Sequence, residues 1–157
     1  MSNGFPPTII VRDRHERPER CSIWPLRDLP GLVFLPYPCA ERPALEGYVR
    51  LAADGPELSM ADASQGILLL DASWRRADRM TREFLDVPPR SLHGYRTAYP
   101  RVSKLGTDPD NGLASVEALF LAHHLLGRPT AGLLDYYRWA VEFLALNGIR
   151  LQDESVS

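Results

Sequence analysis

Residues 66–74 read Gly66-Ile67-Leu68-Leu69-Leu70-Asp71-Ala72-Ser73-Trp74: a glycine, four consecutive apolar residues and then a carboxylate. An unbroken apolar run of this length is what a strand buried on both faces requires, and that environment is a parallel sheet. From Ser73 to about Asp86 the spacing turns helical, with Trp74, Ala77, Met80, Phe84 and Leu85 recurring between arginines. Strand, turn and helix follow one another directly, so the fold class expected is α/β, with Asp71 at the carboxyl end of its most buried strand. Parallel sheets bind ligands outside the carboxyl ends of their strands, where loops and helix N-termini converge.

Working outward, Thr8 to Val11 is a short buried strand, and Arg12 to Arg20, with four arginines against Asp13, Glu16 and Glu19, reads as a solvated loop. Ser22 is placed to cap a helix to about Leu29, with Pro25 in its first turn and Gly31 behind it. Leu32 to Leu35 is a second strand. Prolines 36, 38, 43 and 56 make the next stretch mainly loop, with an extended piece at Tyr48 to Leu51 and one helical turn at Ser59 to Ser64. Pro88 and Pro89 stop the central helix, and Ser91 to Ala98 is expected as another strand. Ser115 caps an apolar helix from Val116 to Leu126 that Gly127 ends, and a long helix is expected from Ala131 to Asn147. The chain thus divides into an α/β part, residues 1–90, and a mainly helical part, residues 91–157.

Length and composition agree with this. A chain of 157 residues fits one domain, or one domain with a helical appendage, and 45 % hydrophobic with 24 % charged residues provides a packed core. No apolar run approaches the roughly 20 residues of a spanning helix, and Met1 to Thr8 lacks the basic and apolar pattern of a secretion signal, so a cytoplasmic protein is expected. Cys21 and Cys39 have no second pair, which excludes a disulfide framework or zinc ribbon and leaves two free thiols. Formal net charge is −2, so a nucleic-acid partner would have to use a local patch.

Three constellations carry candidate chemistry. Asp71 offers a ligand-binding or acid/base carboxylate, against the plainer role of a helix cap. Ser22 and Ser115 each set a hydroxyl beside the positive end of a helix, which suits an anion as well as ordinary capping. Arg90, Arg96, Arg101 and Lys104 are interleaved with His93, Tyr95 and Tyr99, with no Asp or Glu between Val87 and Thr107. Phosphate contacts with aromatic stacking are what looped or single-stranded RNA needs, although unpaired arginines also suit a solvated loop. His123 and His124 are adjacent on a helix and so diverge, which is poor metal-ligand geometry. Ser73 lacks the setting of a nucleophile elbow, and no glycine-rich phosphate loop is present.

In order and wording these elements resemble the aminocarboxypropyltransferase superfamily, which includes the ribosome-biogenesis rRNA enzyme and the DTW-domain tRNA enzymes. Cys21-Ser22 before Pro25-Leu26 resembles the family's Cys-Thr and Lys-Leu. Leu58-Ser59 with Asp62 is similar to its Leu-Ser-Pro and Asp, and Gly66 to Trp74 is similar to its Gly, apolar strand and Asp-Cys-Ser-Trp. Leu113-Ala114-Ser115-Val116-Glu117-Ala118 resembles Leu-Ser-(Ser/Thr)-x-Glu-Ala, and Tyr137-Arg138-Trp139 with Phe143-Leu144 and Asn147 resembles Phe-Lys-Trp-Gly, Phe-Leu and Asn. The resemblance covers about residues 8 to 147, and its C-terminal element favours the rRNA branch over the tRNA branch.

The resemblance implies a SPOUT-like parallel sheet with a trefoil knot, followed by an all-helical C-terminal part. It implies S-adenosylmethionine as donor of a 3-amino-3-carboxypropyl (acp) group to a uridine or pseudouridine ring nitrogen, with no metal. Ser22 and Ser115 would hold the donor's carboxylate, Leu70 would offer its carbonyl to the ribose, Trp74 would pack against the methyl side, and Leu35, Leu92 and Leu113 would wall the adenine. Asp71 would accept the ring proton or orient the ring, and Arg90, Arg96, Arg101 and Lys104 would contact RNA. A monomer working on RNA, in a pre-ribosomal particle, is the expected setting. The chain departs from the family at Trp24, where a lysine-rich segment is expected, and around Tyr99-Pro100-Arg101. A non-catalytic RNA-binding assembly module and an S-adenosylmethionine-dependent RNA methyltransferase are the alternatives.

Overall fold

The computed structural model describes residues 4–15, 22–72, 74–99 and 112–150, without the side chains of Trp74 and Arg75. Among them are β1 (Thr8–Asp13), β2 (Leu32–Tyr37), β3 (Tyr48–Leu51), β4 (Gly66–Asp71), α1 (Trp74–Arg82), β5 (Pro89–Arg90), α2 (Ser115–Leu125) and α3 (Ala140–Leu146). The five strands form one parallel sheet in the order β2-β1-β4-β3-β5. The α/β class expected from residues 66–74 is the one observed.

Alternation along the central strands divides the core. On one face Ile10 and Leu69 pack with α2, whose residues Val116 to His123 are all buried, and with Leu133, Tyr137 and Phe143 beyond it. On the other face Ile9, Val11 and Leu68 pack with Met80, Phe84 and Val87 from α1 and the turn after it. Helices thus cover both faces of the sheet, and that is why β1 is apolar from Ile9 to Val11 and β4 from Ile67 to Leu70. At the other end of β4, Gly66 pairs with Tyr48, whose ring occupies the space a Cβ at 66 would need.

Several expected elements are shorter. The helix expected from Ser22 to Leu29 is a single 3-10 turn, Trp24–Leu26, with Pro25 within it and Pro30 four residues beyond its end. The expected loop from Arg12 begins two residues later, because Arg12 and Asp13 complete β1 and are buried. Of the strand expected at Ser91 to Ala98 only Ser91 pairs, with Glu57. Farther along, the Arg96 and Ala98 amides donate to Asn147 and Glu117 side chains rather than to a neighbouring strand. The long helix from Ala131 becomes a series of turns before α3, with Gly132 at φ 84° and i+3 bonds at Leu133, Asp135 and Tyr137. α1 stops at Arg82 rather than near Asp86, giving way to turns ahead of Pro88.

Candidate functional site

The chain leaves β1 toward β2 on one side of the sheet and leaves β4 through α1 toward β5 on the other. The gap between the carboxyl ends of β1 and β4 is therefore a topological switch point, where an open parallel sheet forms a crevice. Arg12 and Asp71 are paired in register across that gap. Asp71, 8 % exposed, faces the Arg12 guanidinium with Oδ2 at 3.8 Å from Nε. Its Oδ1 accepts a hydrogen bond from the Ser115 hydroxyl.

Ser115 is the first residue of α2 rather than its cap, since Ala114 holds the extended cap position and offers no side-chain oxygen. The cap comes from elsewhere in the chain. The Val116 amide donates to the Ser22 hydroxyl at 3.3 Å, across 94 residues of sequence. Two serines expected to cap separate helices instead meet at one helix N-terminus, beside one carboxylate. Serving α2 also removes Ser22 from its own segment, where Ile23 precedes the 3-10 turn with no side-chain cap.

Trp24 completes this corner. The Arg12 guanidinium lies 4.6 Å and that of Arg27 4.9 Å from its ring centroid, and Phe34 meets it edge-on at 6.1 Å. Neither Arg12 nor Trp24 was among the expected site residues. The available signal was that Arg12 follows an apolar strand just as Asp71 follows Leu70. A second carboxylate, Asp13, is buried one residue further on, accepts from the His15 amide at 3.0 Å and pairs with Arg76 of α1 at 3.4 Å.

The other expected site residues fall as follows. Leu35 and Leu70 flank Val11 on the two neighbouring strands, one step in from Arg12 and Asp71, and pack with the α1 side of the core. Leu92 and Leu113 pack with the α2 side instead. Trp74 opens α1, three positions after Asp71, and its side chain lies outside the described residues. Arg90 is tied down: its Nε bonds both carboxylate oxygens of Asp62 at 3.2 and 3.3 Å, and its Nη1 bonds the Pro89 carbonyl. Arg96 is exposed, while Arg101 and Lys104 lie outside the described residues.

One further carboxylate supports this corner from behind. Glu117, fully buried in α2, accepts from the Thr97 hydroxyl at 2.6 Å and from the Ala98 amide, the Ala114 amide and the Tyr137 hydroxyl at 2.8 Å each. Four donors without a described cation satisfy a buried carboxylate, and they lock the segment before α2 and the turn after it onto its first turn. The adjacent histidines diverge as expected: His123 is buried and His124 stacks on Phe120 at the surface. Among the described residues no three His, Cys, Asp or Glu side chains gather as metal ligands.

The corner therefore combines a helix N-terminus, two hydroxyls, a buried carboxylate and a buried guanidinium. Such a set complements a small zwitterion, with the α2 end and the Ser22 O–H available to a carboxylate and Asp71 to a cationic group.

No family model matches the chain. No curated protein matches it either. Among solved structures it is similar to the SAM-dependent rRNA:acp-transferase Tsr3 from Vulcanisaeta distributa, with a TM-score of 0.69 over 90 % of this chain and 79 % of that one, at 20 % identity. At that identity the likeness is one of fold.

Proposed function

We propose that the protein transfers the acp group of S-adenosylmethionine to a uridine or pseudouridine base of RNA, in rRNA rather than tRNA. The observation that carries the reading is the meeting of Ser22, Ser115 and Asp71 at one helix N-terminus over the β1/β4 crevice. Sequence motifs and fold likeness to an rRNA:acp-transferase support it independently of that geometry.

The residues present suit this donor, which carries a carboxylate, an ammonium and a sulfonium. Ser22 and Ser115, with the first turn of α2, would hold the carboxylate, the Ser115 hydroxyl turning its one proton from Asp71 Oδ1 to the donor as it does so, and Asp71 faces the cationic side. The Leu70 carbonyl would take the ribose, Leu35, Leu92 and Leu113 would wall the adenine, and Trp74 would cover the methyl. The donor supplies an activated C–S bond, so this chain's part is alignment and exclusion of water rather than activation by a metal. As the ring nitrogen of the acceptor forms its bond to carbon it loses a proton, and Asp71 is the carboxylate placed to receive it or to orient the ring. Arg12 stays beside Asp71 Oδ2, which favours orientation over proton abstraction. Arg96, Arg101 and Lys104, with Arg90 in a more structural position, would contact RNA. The same reading includes a SPOUT-like knotted sheet, an all-helical C-terminal part, a boundary near residue 90, a cytoplasmic location and a monomeric protein at a pre-ribosomal particle.

Calorimetric titration with S-adenosylmethionine, followed by mass analysis of RNA treated with donor and protein, tests the reading. Binding that weakens in Ser115→Ala and Trp74→Ala, with an acp-sized mass gain on RNA, is expected. A methyl-sized gain would make the protein a methyltransferase, and the absence of donor binding would leave an RNA-binding module.

A further inference from the structure

α1 carries more positive charge than its own stability calls for, although Arg79 and Arg82, in its last turn, do suit the helix dipole. Its nine residues include Arg75, Arg76, Arg79 and Arg82 against the single carboxylate of Asp78. No acidic residue stands in its first turn, where the helix dipole favours anions, and instead two arginines do. The arginines also repeat at spacings of three and four, at which like charges on a helix repel.

Opposite them Met80 is fully buried against the sheet, so the helix is fixed and its outer side cannot turn away from solvent. Arg76, Arg79 and Arg82 are exposed. Arg76 reaches Asp13 at the end of β1, while the guanidiniums of Arg79 and Arg82 form no hydrogen bond or ion pair with a described residue. Neighbouring carboxylates are already engaged: Glu83 accepts from the Tyr37 hydroxyl at 2.7 Å and Asp86 from Arg42 at 2.6 Å. Because the whole chain has a net charge of −2, this stripe does not follow from a generally basic composition.

We propose that the outer face of α1 is a track for the sugar-phosphate backbone of the RNA acceptor, running outward from the Asp71 crevice; this rests on the RNA transferase reading above. α1 begins three residues after Asp71, so a strand whose base enters the crevice has its flanking phosphates beside the helix. Nine residues at about 1.5 Å each give a track about 13 Å long. Guanidinium forks bind phosphate oxygens in pairs, and phosphates would relieve the repulsion within the stripe.

The test uses the full chain and its Arg79→Glu/Arg82→Glu variant, with Arg79→Gln/Arg82→Gln as a milder second variant. Anisotropy of a labelled uridine-rich single-stranded RNA and of a stem-loop is read across a salt series, with S-adenosylmethionine binding and the melting temperature measured on the same preparations. The charge reversal is expected to lower RNA affinity at least tenfold and the neutral variant less. The salt slope of the neutral variant should fall by about 1.4 on the single strand, for two lost phosphate contacts. Donor binding should stay unchanged, and the neutral variant should melt close to the unaltered chain, while the charge reversal melts a few degrees lower because it places carboxylates in the last turn of the helix. Unaltered RNA affinity in folded variants overturns the track and leaves the transferase reading standing, as does absence of RNA binding by the unaltered chain while it binds donor. Equal binding to equimolar phosphatidylglycerol–phosphatidylcholine vesicles, lost in the same variants, overturns the assignment to RNA. Variant-sensitive RNA binding without any donor binding supports the track and removes the transferase reading instead.

Discussion

The Ser115 hydroxyl donates to Asp71 Oδ1, joining the N-terminus of α2 to the carboxyl end of β4 across 44 residues. Because the same helix end takes its cap from Ser22, three distant segments converge on the crevice. Removing the Ser115 hydroxyl leaves Asp71 its Arg12 partner and leaves the Ser22 cap in place. Ser115→Ala should therefore cost little stability, yet weaken S-adenosylmethionine binding by about tenfold, the size of one hydrogen bond to a charged group. Ser115→Thr should restore it. Calorimetry beside thermal melts checks this, and a loss of stability without loss of affinity would reduce the contact to a structural one.

Asp71→Asn keeps an acceptor for Ser115 but removes the charge facing Arg12. If Asp71 orients or deprotonates the acceptor base, transfer should fall about 100-fold or more with a much smaller change in donor affinity. Single-turnover assays read by product mass separate the two quantities, and full turnover in the variant would remove Asp71 from the chemistry.

Glu117, fully buried, binds four donors. Glu117→Gln turns one acceptor oxygen into an amide that faces donors. A cost of about 3 kcal/mol is expected, read as a melting temperature lower by roughly 10 °C. Tyr137→Phe should cost less, and the two changes together less than their sum, since they share a bond.

His123 gives a pH dependence of known sign. Its Nδ1–H donates to the Pro129 carbonyl at 3.2 Å, which leaves Nε2, 2.9 Å from the Thr8 hydroxyl, as the acceptor of the neutral ring. Burial is the main cause holding its pKa below the ordinary 6.5. The unfolded chain therefore binds a proton that the folded chain refuses. Stability is complete above about pH 6.5 and declines as the pH falls toward the folded value. Chemical denaturation between pH 5 and 7.5 should show this decline, and His123→Gln should flatten its contribution. A slope identical in both proteins would sink the assignment.

At Gly66 the demand is for space. An alanine Cβ would press into the Tyr48 ring, whose hydroxyl is anchored on the Pro7 carbonyl at 2.6 Å. Gly66→Ala should cost about 1–3 kcal/mol, and Tyr48→Leu in the same chain should recover part of it. Denaturant titration of the single and double variants checks the coupling.

What the sequence determined by itself is local and periodic. The apolar run before Asp71, the helical spacing after it, the strand at Thr8 and the apolar helix from Val116 all carry their burial in their own pattern, so the α/β class and the position of Asp71 were legible. Ser22 and Ser115 were legible as hydroxyls at turns, but not as partners. Only the packing of α2 on the sheet decided that one serves the other's helix and the other serves Asp71. Arg12 reads in sequence as the start of a charged loop, and it becomes a buried partner of Asp71 because parallel pairing sets it opposite that residue. The expected strand at Ser91 to Ala98 and the long helix from Ala131 yielded to Asn147, Glu117 and Tyr137, whose side-chain bonds span 19 to 51 residues. Periodicity reports which face of an element is buried. Contacts between distant segments, which carry no period, are decided only when those faces meet.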